Sequence, residues 1–494
     1  MKQKKTGIVL AYINVFSKNL IMLIYTPILL NCLGENEFGI YQVANSVISN
    51  LSLLSMGFTL SYVKFFVQNL QRKDYLGLKK LNSTYLYFFV FIAILSLAMG
   101  YYLVINVDVF FSNTLSIREI RLARYLMFWM IFNIIFSLFN SMFESNIIAN
   151  EKFIFHQSKL LVQTLILPFI TIPFLLFLNI GALSIVIIQT LISLLILILN
   201  VVYCLKKLEM KFHYRLFDFN TLKKIGRFSF FIFLNQIFNQ INETAPIFIL
   251  GSLSSTKDVA IYAVINQLKS VFLTLAQSIT NIFIPEVNHL VCREKNNVRL
   301  IGLMTELGKL QIIVLGLFLG GFIVFGKYFI FLWVGNGFEN AYYLLISLVI
   351  PLIIPLCQSI GIEIQQAKNM HAFRSILLTV FSILNIVFTF FLVKRFGLIG
   401  STLGYIFSLI FGYGIVMNWF YNKKMKLDMK YFWNKTIPMM MPTIVTTVVF
   451  LIILRINPIN NILNFLFLGL LFCLMYFGLI YILLYILGEK KIFK

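Results

Sequence analysis

The feature that most constrains this chain is a run of about twenty apolar residues, recurring fourteen times. A helix of that length crosses the roughly 30 Å hydrocarbon core of a bilayer. Only helices and closed barrels satisfy every backbone hydrogen bond there. The spans fall near 7–30, 39–70, 82–105, 120–148, 157–178, 181–205, 226–253, 258–290, 303–325, 340–367, 374–394, 398–421, 433–455 and 461–487. With 60% of its 494 residues hydrophobic, the chain is too apolar for a water-soluble fold to cover. The expected class is an all-α polytopic membrane protein. The opening MKQKKTGIVLAY resembles a leader peptide, but the apolar run continues through Asn14 and Lys18 to Leu30 without a small-x-small cleavage site. It is therefore read as the first span. Pro27, Pro168, Pro173, Pro246, Pro351, Pro355, Pro438 and Pro442 lie inside spans and predict kinks.

A net charge of +23 would suit a nucleic-acid binder, but the placement of the charge excludes one. Fourteen spans put both termini on one side, and that side carries 30 of the 41 lysines and arginines. The opposite side carries eight: Arg118, Arg121, Arg124, Lys257, Lys327, Lys394, Arg395 and Arg455. This is the positive-inside pattern, so both termini are expected in the cytoplasm of a bacterial cell, with the chain in its inner membrane. Cys32, Cys204, Cys292, Cys357 and Cys473 show no paired spacing, which suggests neither a disulfide framework nor a metal site. The sequence has no P-loop, no Asp-x-Asp pair and no long extramembrane loop. The four histidines fall near cytoplasmic span ends and read as solvated. An ATP-driven pump and a glycosyltransferase are excluded on these grounds, and no cofactor or metal is expected.

The two halves echo each other. Ile40, Tyr41, Val43 and Asn45 recur as Ile261, Tyr262, Val264 and Asn266, an offset of 221. Asn140 and Glu144 map onto Ser359 and Glu363, and Phe177 and Gly181 onto Phe396 and Gly400, at an offset of 219. Six spans separate the copies, so the repeat is parallel, about an axis along the membrane normal. The expected organisation is an N-terminal lobe (1–205), a basic cytoplasmic linker (206–225), a C-terminal lobe (226–421), and two added helices with a basic tail (422–494). Two such lobes rocking about a central site would give alternating access.

Polar residues at bilayer depth mark that site. In span 7, Asn235, Asn239 and Asn242, and likewise Gln236, Gln240 and Glu243, fall at i, i+4 and i+7 on one helical face. Span 8 continues the pattern with Asn266, Ser270, Thr274, Gln277 and Asn281. Such faces either line a hydrophilic cavity or join helix to helix. Lys18 and Lys269 lie too deep to reach the headgroups easily, which makes them candidates for a cavity. Lys64, nearer the cytoplasmic end, fits snorkelling as well as a cavity role. Glu144, Glu243 and Glu363 either pair with lysines or carry a coupling ion.

With fourteen spans, two six-helix lobes, the Leu-Gly-Glu-x-Glu-Phe-Gly-Ile-Tyr turn (Leu33 to Tyr41) and lysines on spans 1, 2 and 8, the chain resembles the polysaccharide repeat-unit flippases of the Wzx type. These belong to the superfamily of multidrug extruders and lipid II flippases. The resemblance implies a transporter rather than an enzyme. Its cargo would be an undecaprenyl-diphosphate-linked oligosaccharide moved from the inner to the outer leaflet. Lys18, Lys64 and Lys269 would form the cationic cavity. Membrane lipids, and the polymerase and chain-length proteins of the same pathway, would be its partners. A lipid II flippase and a multidrug extruder of the same fold remain the alternatives. The extruder would want an acid on span 1, where this chain has Lys18.

Overall fold

A computed structural model of the chain describes residues 2–55, 58–178, 181–213, 223, 225–226, 229, 240, 242–293, 297–368, 370–459 and 461–488. Among the described residues there is no strand, and twelve helices are long and apolar enough to cross a membrane. The chain is a multi-pass, all-helical membrane protein. One of the twelve, Val9–Leu54, has 46 residues, enough for about two crossings at 1.5 Å per residue. It breaks at Gly34, whose φ of 72° and ψ of 169° suit glycine and strain any other residue. Spans 1 and 2 meet at this break. Of span 7, residues 242–253 are described as helix. With that segment and the break counted, the helices follow the fourteen expected spans in order.

Several spans depart from the continuous helices the sequence suggests. Span 2 runs helically to Ser49, tightens into a 3-10 turn over Asn50–Ser55 and resumes at Phe58–Gln71. Here Asn50 Nδ2 donates to the Ser46 carbonyl at 2.7 Å, and Ser52 Oγ to the Ser49 carbonyl at 2.6 Å. These side chains compete with the backbone ladder. Span 10 is split at Gln358 into Glu339–Cys357 and Ser359–Ala367, just past Pro351 and Pro355, which remove two ladder donors. Span 12 begins as Leu398–Phe407, winds as a π-helix over Ser408–Met417 and ends as Asn418–Lys423. Span 13 comprises Met429–Thr436, a 3-10 turn Ile437–Met440 at Pro438, and Met441–Ile456. Span 9 covers Asn297–Val334, longer than expected at both ends. Lys309, counted in sequence with the cations of the cytoplasmic side, lies inside this helix and is buried at 5% exposure.

By packing, the chain forms two compact units, Met1–Ala260 and Ile261–Lys494. The described part of span 7 packs in the first. Thr244 Oγ1 donates to Asn50 Oδ1 at 2.9 Å, Thr114 Oγ1 donates to the Gly251 carbonyl at 2.5 Å, and the Phe248 ring meets Phe111 edge-on. The core of this unit surrounds Tyr62, packed edge to face on Tyr85 with Phe66, Phe89, Leu138 and Met142. In the second unit Phe325 of span 9 meets Phe450 of span 13 and Phe472 of span 14, which ties the two added helices to the bundle.

The Leu33–Tyr41 motif is a junction. Glu37 Oε1 accepts from the Ala182 amide at 2.5 Å and so caps the start of span 6. Glu35 pairs with Lys257 at 3.0 Å, and Thr256 Oγ1 donates to Asn36 Oδ1 at 3.0 Å. The Thr256 carbonyl rests directly on Gly39, where any Cβ would overlap it. The turn between spans 7 and 8 is thus latched to its sequence equivalent between spans 1 and 2. Replacing Gly39 by Val should destabilise the protein by about 1–3 kcal/mol through overpacking, read as a lower melting temperature in detergent. Gly469→Val, where the added side chain meets open space, should melt as wild type does.

Candidate functional site

Span 1 carries its polar groups on the side that meets span 5. Asn14 Nδ2 donates to both the backbone carbonyl and Oε1 of Gln157 at 2.8 Å, and the Tyr25 and Thr171 hydroxyls are bonded at 2.7 Å. Lys18, one turn beyond Asn14, is exposed. Lys64 on span 2 is also exposed, its ammonium 5.9 Å from the Phe65 ring centre. Lys269 differs. In the second unit it is only 4% exposed, and its Nζ lies 5.0 Å from the ring centre of Tyr405 on span 12. Lys18 and Lys64 of the first unit are thus exposed, and Lys269 of the second is buried against an aromatic face.

The amide faces are partly satisfied within the protein. Gln240 Nε2 reaches Ser49 Oγ at 3.5 Å, while Glu243 is exposed and Asn266 half-buried. Asn235 and Asn239 lie outside the described residues. On span 8 the Ser270 hydroxyl donates to the Gln267 carbonyl at 2.6 Å and the Thr274 hydroxyl to the Ser270 carbonyl at 2.8 Å. Those hydroxyls therefore serve their own helix, whereas Gln277 and Asn281 remain exposed.

Among the acids, Glu144 is paired with Lys159 of span 5, a lysine the sequence placed at the basic face. The Lys159 side chain is 5% exposed, so the pair is internal. His156, one turn earlier on span 5, is half-buried beside it with Nδ1 enclosed, which corrects its reading as a solvated histidine. The antiparallel return of span 5 against span 4 brings these three together. One helical turn from Glu144, Asn140 Oδ1 accepts from Asn200 Nδ2 of span 6 at 2.5 Å. Glu363 is half-buried and sits within electrostatic reach of Arg374.

Two buried polar networks escaped the sequence reading. In the first unit, Asn146 Nδ2 donates to the Tyr62 hydroxyl, which donates to Asn82 Oδ1, both at 2.7 Å. Asn82 Nδ2 then reaches the Lys211 carbonyl at 2.9 Å, fixing the start of the basic linker. In the second unit, Gln311 Nε2 donates to Thr280 Oγ1 at 2.9 Å and Ser359 Oγ at 2.7 Å. Asn418 Oδ1 accepts from Gln358 Nε2 and Trp433 Nε1, each at 2.8 Å. The partners lie on different spans, so the periodicity of any one helix carries no trace of the network. A cavity of about 260 Å³ between spans 9, 10 and 13 is apolar, lined by Ile312, Leu319, Ile353 and Ile444 among others. It suits hydrocarbon rather than a charged headgroup. Among the described residues no cluster of three or more His, Cys, Asp or Glu side chains could hold a metal ion.

Exposed and buried cations, internal amide networks and split spans mark the polar positions of this membrane protein. Residues 4–287 match the family model described as polysaccharide biosynthesis protein. The chain belongs to that family. No curated protein matches its sequence. Among solved structures it resembles "Lipid II flippase MurJ, inward closed conformation" with a TM-score of 0.73 at 14% identity, covering 96% of this chain and 99% of that one. It also resembles an inward-facing multidrug resistance MATE family transporter (TM-score 0.64, 14% identity, 86% and 99% covered). A third similarity is to a MATE structure in the straight conformation (TM-score 0.57, 13% identity, 86% and 97% covered). These likenesses establish the fold, one used by flippases and transporters. This member of the polysaccharide family has the expected all-helical class.

The Glu144–Lys159 pair gives a direct test of internal electrostatics. Glu144→Gln strands a buried ammonium and should cost about 3–5 kcal/mol, whereas the double change Glu144→Leu with Lys159→Met should recover most of it. Melting in detergent of both variants and the wild type checks this.

Proposed function

We propose that this protein is a flippase for a lipid-linked oligosaccharide, moving an undecaprenyl-diphosphate-linked polysaccharide repeat unit from the inner to the outer leaflet by alternating access. The observation that carries the reading is membership of a polysaccharide biosynthesis family combined with lysines within spans 1, 2 and 8. A diphosphate cannot enter hydrocarbon unaided, because an uncompensated charge there costs far more than any contact returns. Lys18 and Lys64 are exposed and able to meet it, with Lys269 as the third cation. Gln240 and Asn266, together with Asn235 and Asn239, would bond sugar hydroxyls without demanding one particular sugar. The polyprenyl tail stays in lipid.

In this reading the protein lies in the bacterial inner membrane with both termini cytoplasmic, as the bias of basic residues indicates. With a negative cell interior, an anion moving outward gains about 2.3 kcal/mol per charge per 100 mV, so the membrane potential assists export. Glu243, exposed on span 7, would add ion coupling in this reading, with Glu363 as the second candidate. Glu144 is engaged by Lys159 and serves structure first. Polymerase and chain-length proteins of the same pathway would receive the product.

The test uses proteoliposomes loaded with a fluorescent undecaprenyl-diphosphate oligosaccharide, scored for leaflet with an impermeant quencher. Lys18→Ala and Lys269→Ala are each expected to slow flipping at least about tenfold, the loss of one charge-assisted contact. Full rates in both would refute the cationic route. Collapsing an inside-negative potential with an ionophore should slow export, and an unchanged rate would remove the electrical drive. Lipid II as the second cargo tests the nearest rival reading, which the 96% coverage by the lipid II flippase fold favours over an extruder.

A further inference from the structure

The apolar cavity of the second unit has a shape and a setting that select its occupant. Its lining on span 9 is Ile312, Gly316, Leu319 and Ile323. These fall at i, i+4, i+7 and i+11, a single stripe that runs about 16 Å along the helix. Ile350 and Ile353 of span 10, and Ile444 and Val448 of span 13, form the other two walls. Each of those walls carries an irregularity: Pro351 between Ile350 and Ile353, and the 3-10 turn Ile437–Met440 leading into span 13. Ile312 and Ile353 are buried, at 1% and 3%, whereas Ile350, Ile444 and Val448 are 52%, 60% and 50% exposed. The cavity is therefore a slot, closed behind and open outward. Its mouth faces lipid, since Met441, Ile444, Val448 and Ile452 form an exposed and wholly apolar stripe on span 13. The back is sealed where a Cβ on Gly316 would meet Thr443 Oγ1, and one on Gly320 would meet Thr447 Oγ1. The Thr443 hydroxyl is bonded to Tyr476 and that of Thr447 is enclosed, so neither is offered to a guest.

We propose that this slot is a binding site for one acyl chain of a bilayer phospholipid, independent of the cargo reading. Water does not fill it, because a buried water needs two to four polar partners. At about 260 Å³ it exceeds the roughly 150 Å³ of an apolar cavity that stays dry and takes up benzene. Empty, its walls forgo the contacts that dense packing supplies. Hydrocarbon restores them, and a mouth that opens on the bilayer admits hydrocarbon with no polar group crossing it. The slot runs along span 9, and so along the direction in which lipid chains lie. No charged residue lines it, so nothing there holds a phosphate. A phospholipid keeps its headgroup at the membrane surface and needs only its chain held. The single straight stripe on span 9 suits an unbranched chain better than a polyprenyl tail with its repeated methyl branches.

The test places the full chain in vesicles of phosphatidylethanolamine and phosphatidylglycerol with a trace of phosphatidylethanolamine carrying a mid-chain diazirine. After photolysis, labelled residues are located by mass spectrometry. Ile312 and Ile353, which a passing lipid does not reach, should be labelled at least as strongly as Leu470, exposed on span 14. Label at Leu470 with none at Ile312 and Ile353 overturns the proposal. Filling the slot by Ile353→Phe, or separately by Ile323→Phe, should cut the label at Ile312 about tenfold or more, with Leu470→Phe within about twofold of wild type. Label that persists at Ile312 in a filled variant melting near wild type overturns the proposal as well. Two separate fillings are used so that one misfolded variant leaves the other to decide, and the wild-type labelling stands without either. Undecaprenyl phosphate added in trace amount should leave the label unchanged. Loss of label on that addition assigns the slot to the polyprenyl carrier and overturns the phospholipid. None of these readouts involves flipping, so failure here leaves the cargo reading standing.

Discussion

Everything in this structure depends on the absence of water in the bilayer core. A polar group there either finds a partner inside the protein or forces the chain to keep water beside it. The chain uses the first solution for most of its amides and hydroxyls. Asn82, Tyr62 and Asn146 satisfy one another, as do Gln311, Thr280 and Ser359. Serines and threonines return their protons to the previous helical turn. What is left over is therefore informative. Lys18 and Lys64 stay exposed on spans 1 and 2, and the proposed cationic route is built on those two positions. The same constraint explains the broken spans. Where Pro351 and Pro355 remove ladder donors, span 10 splits at Gln358, and that residue turns to Asn418 for its bond.

The charges divide into those that hold and those that can act. Glu144 and Lys159 face each other between neighbouring helices and cancel, so they stabilise packing but leave no field for a ligand. Glu35 and Lys257 are partly exposed, where an ion pair is worth little on its own. Such a contact can close and reopen at small cost. The latch gains its definition from Gly39 and Thr256, where backbone touches backbone, and the ion pair trims the fit.

The class of fold was legible in sequence because hydropathy at a period of some twenty residues is imposed by the bilayer. The turns were legible for a related reason, since Gly34, Gly181 and Gly397 carry the positive φ angles that end one helix and begin another. The site was legible only in part. Lys18 and Lys64 stand out as lone charges in apolar runs, and the structure leaves both accessible. Lys159 and Lys309 lie near the ends of spans 5 and 9 and count in sequence with the cytoplasmic cations, yet both are buried. Their burial depends on which helix lies alongside, and a one-dimensional pattern does not contain that. Helix interruptions at Asn50–Ser55 and Ser408–Met417 were likewise hidden, because each arises from local competition for carbonyls rather than from hydropathy.

The π-wound segment of span 12 has a mechanical meaning beyond its position. A π-turn holds more residues than an α-turn, so reverting Ser408–Met417 to α-geometry would lengthen the helix and swing every later side chain around its axis. Asn418 is the first residue past that stretch. Its carboxamide is engaged by Gln358 and Trp433 and by the Tyr413 and Gly414 carbonyls. The helix is therefore wound under a pin. A change of pitch in span 12 would therefore carry Asn418 away from its partners on spans 10 and 13 and break both bonds.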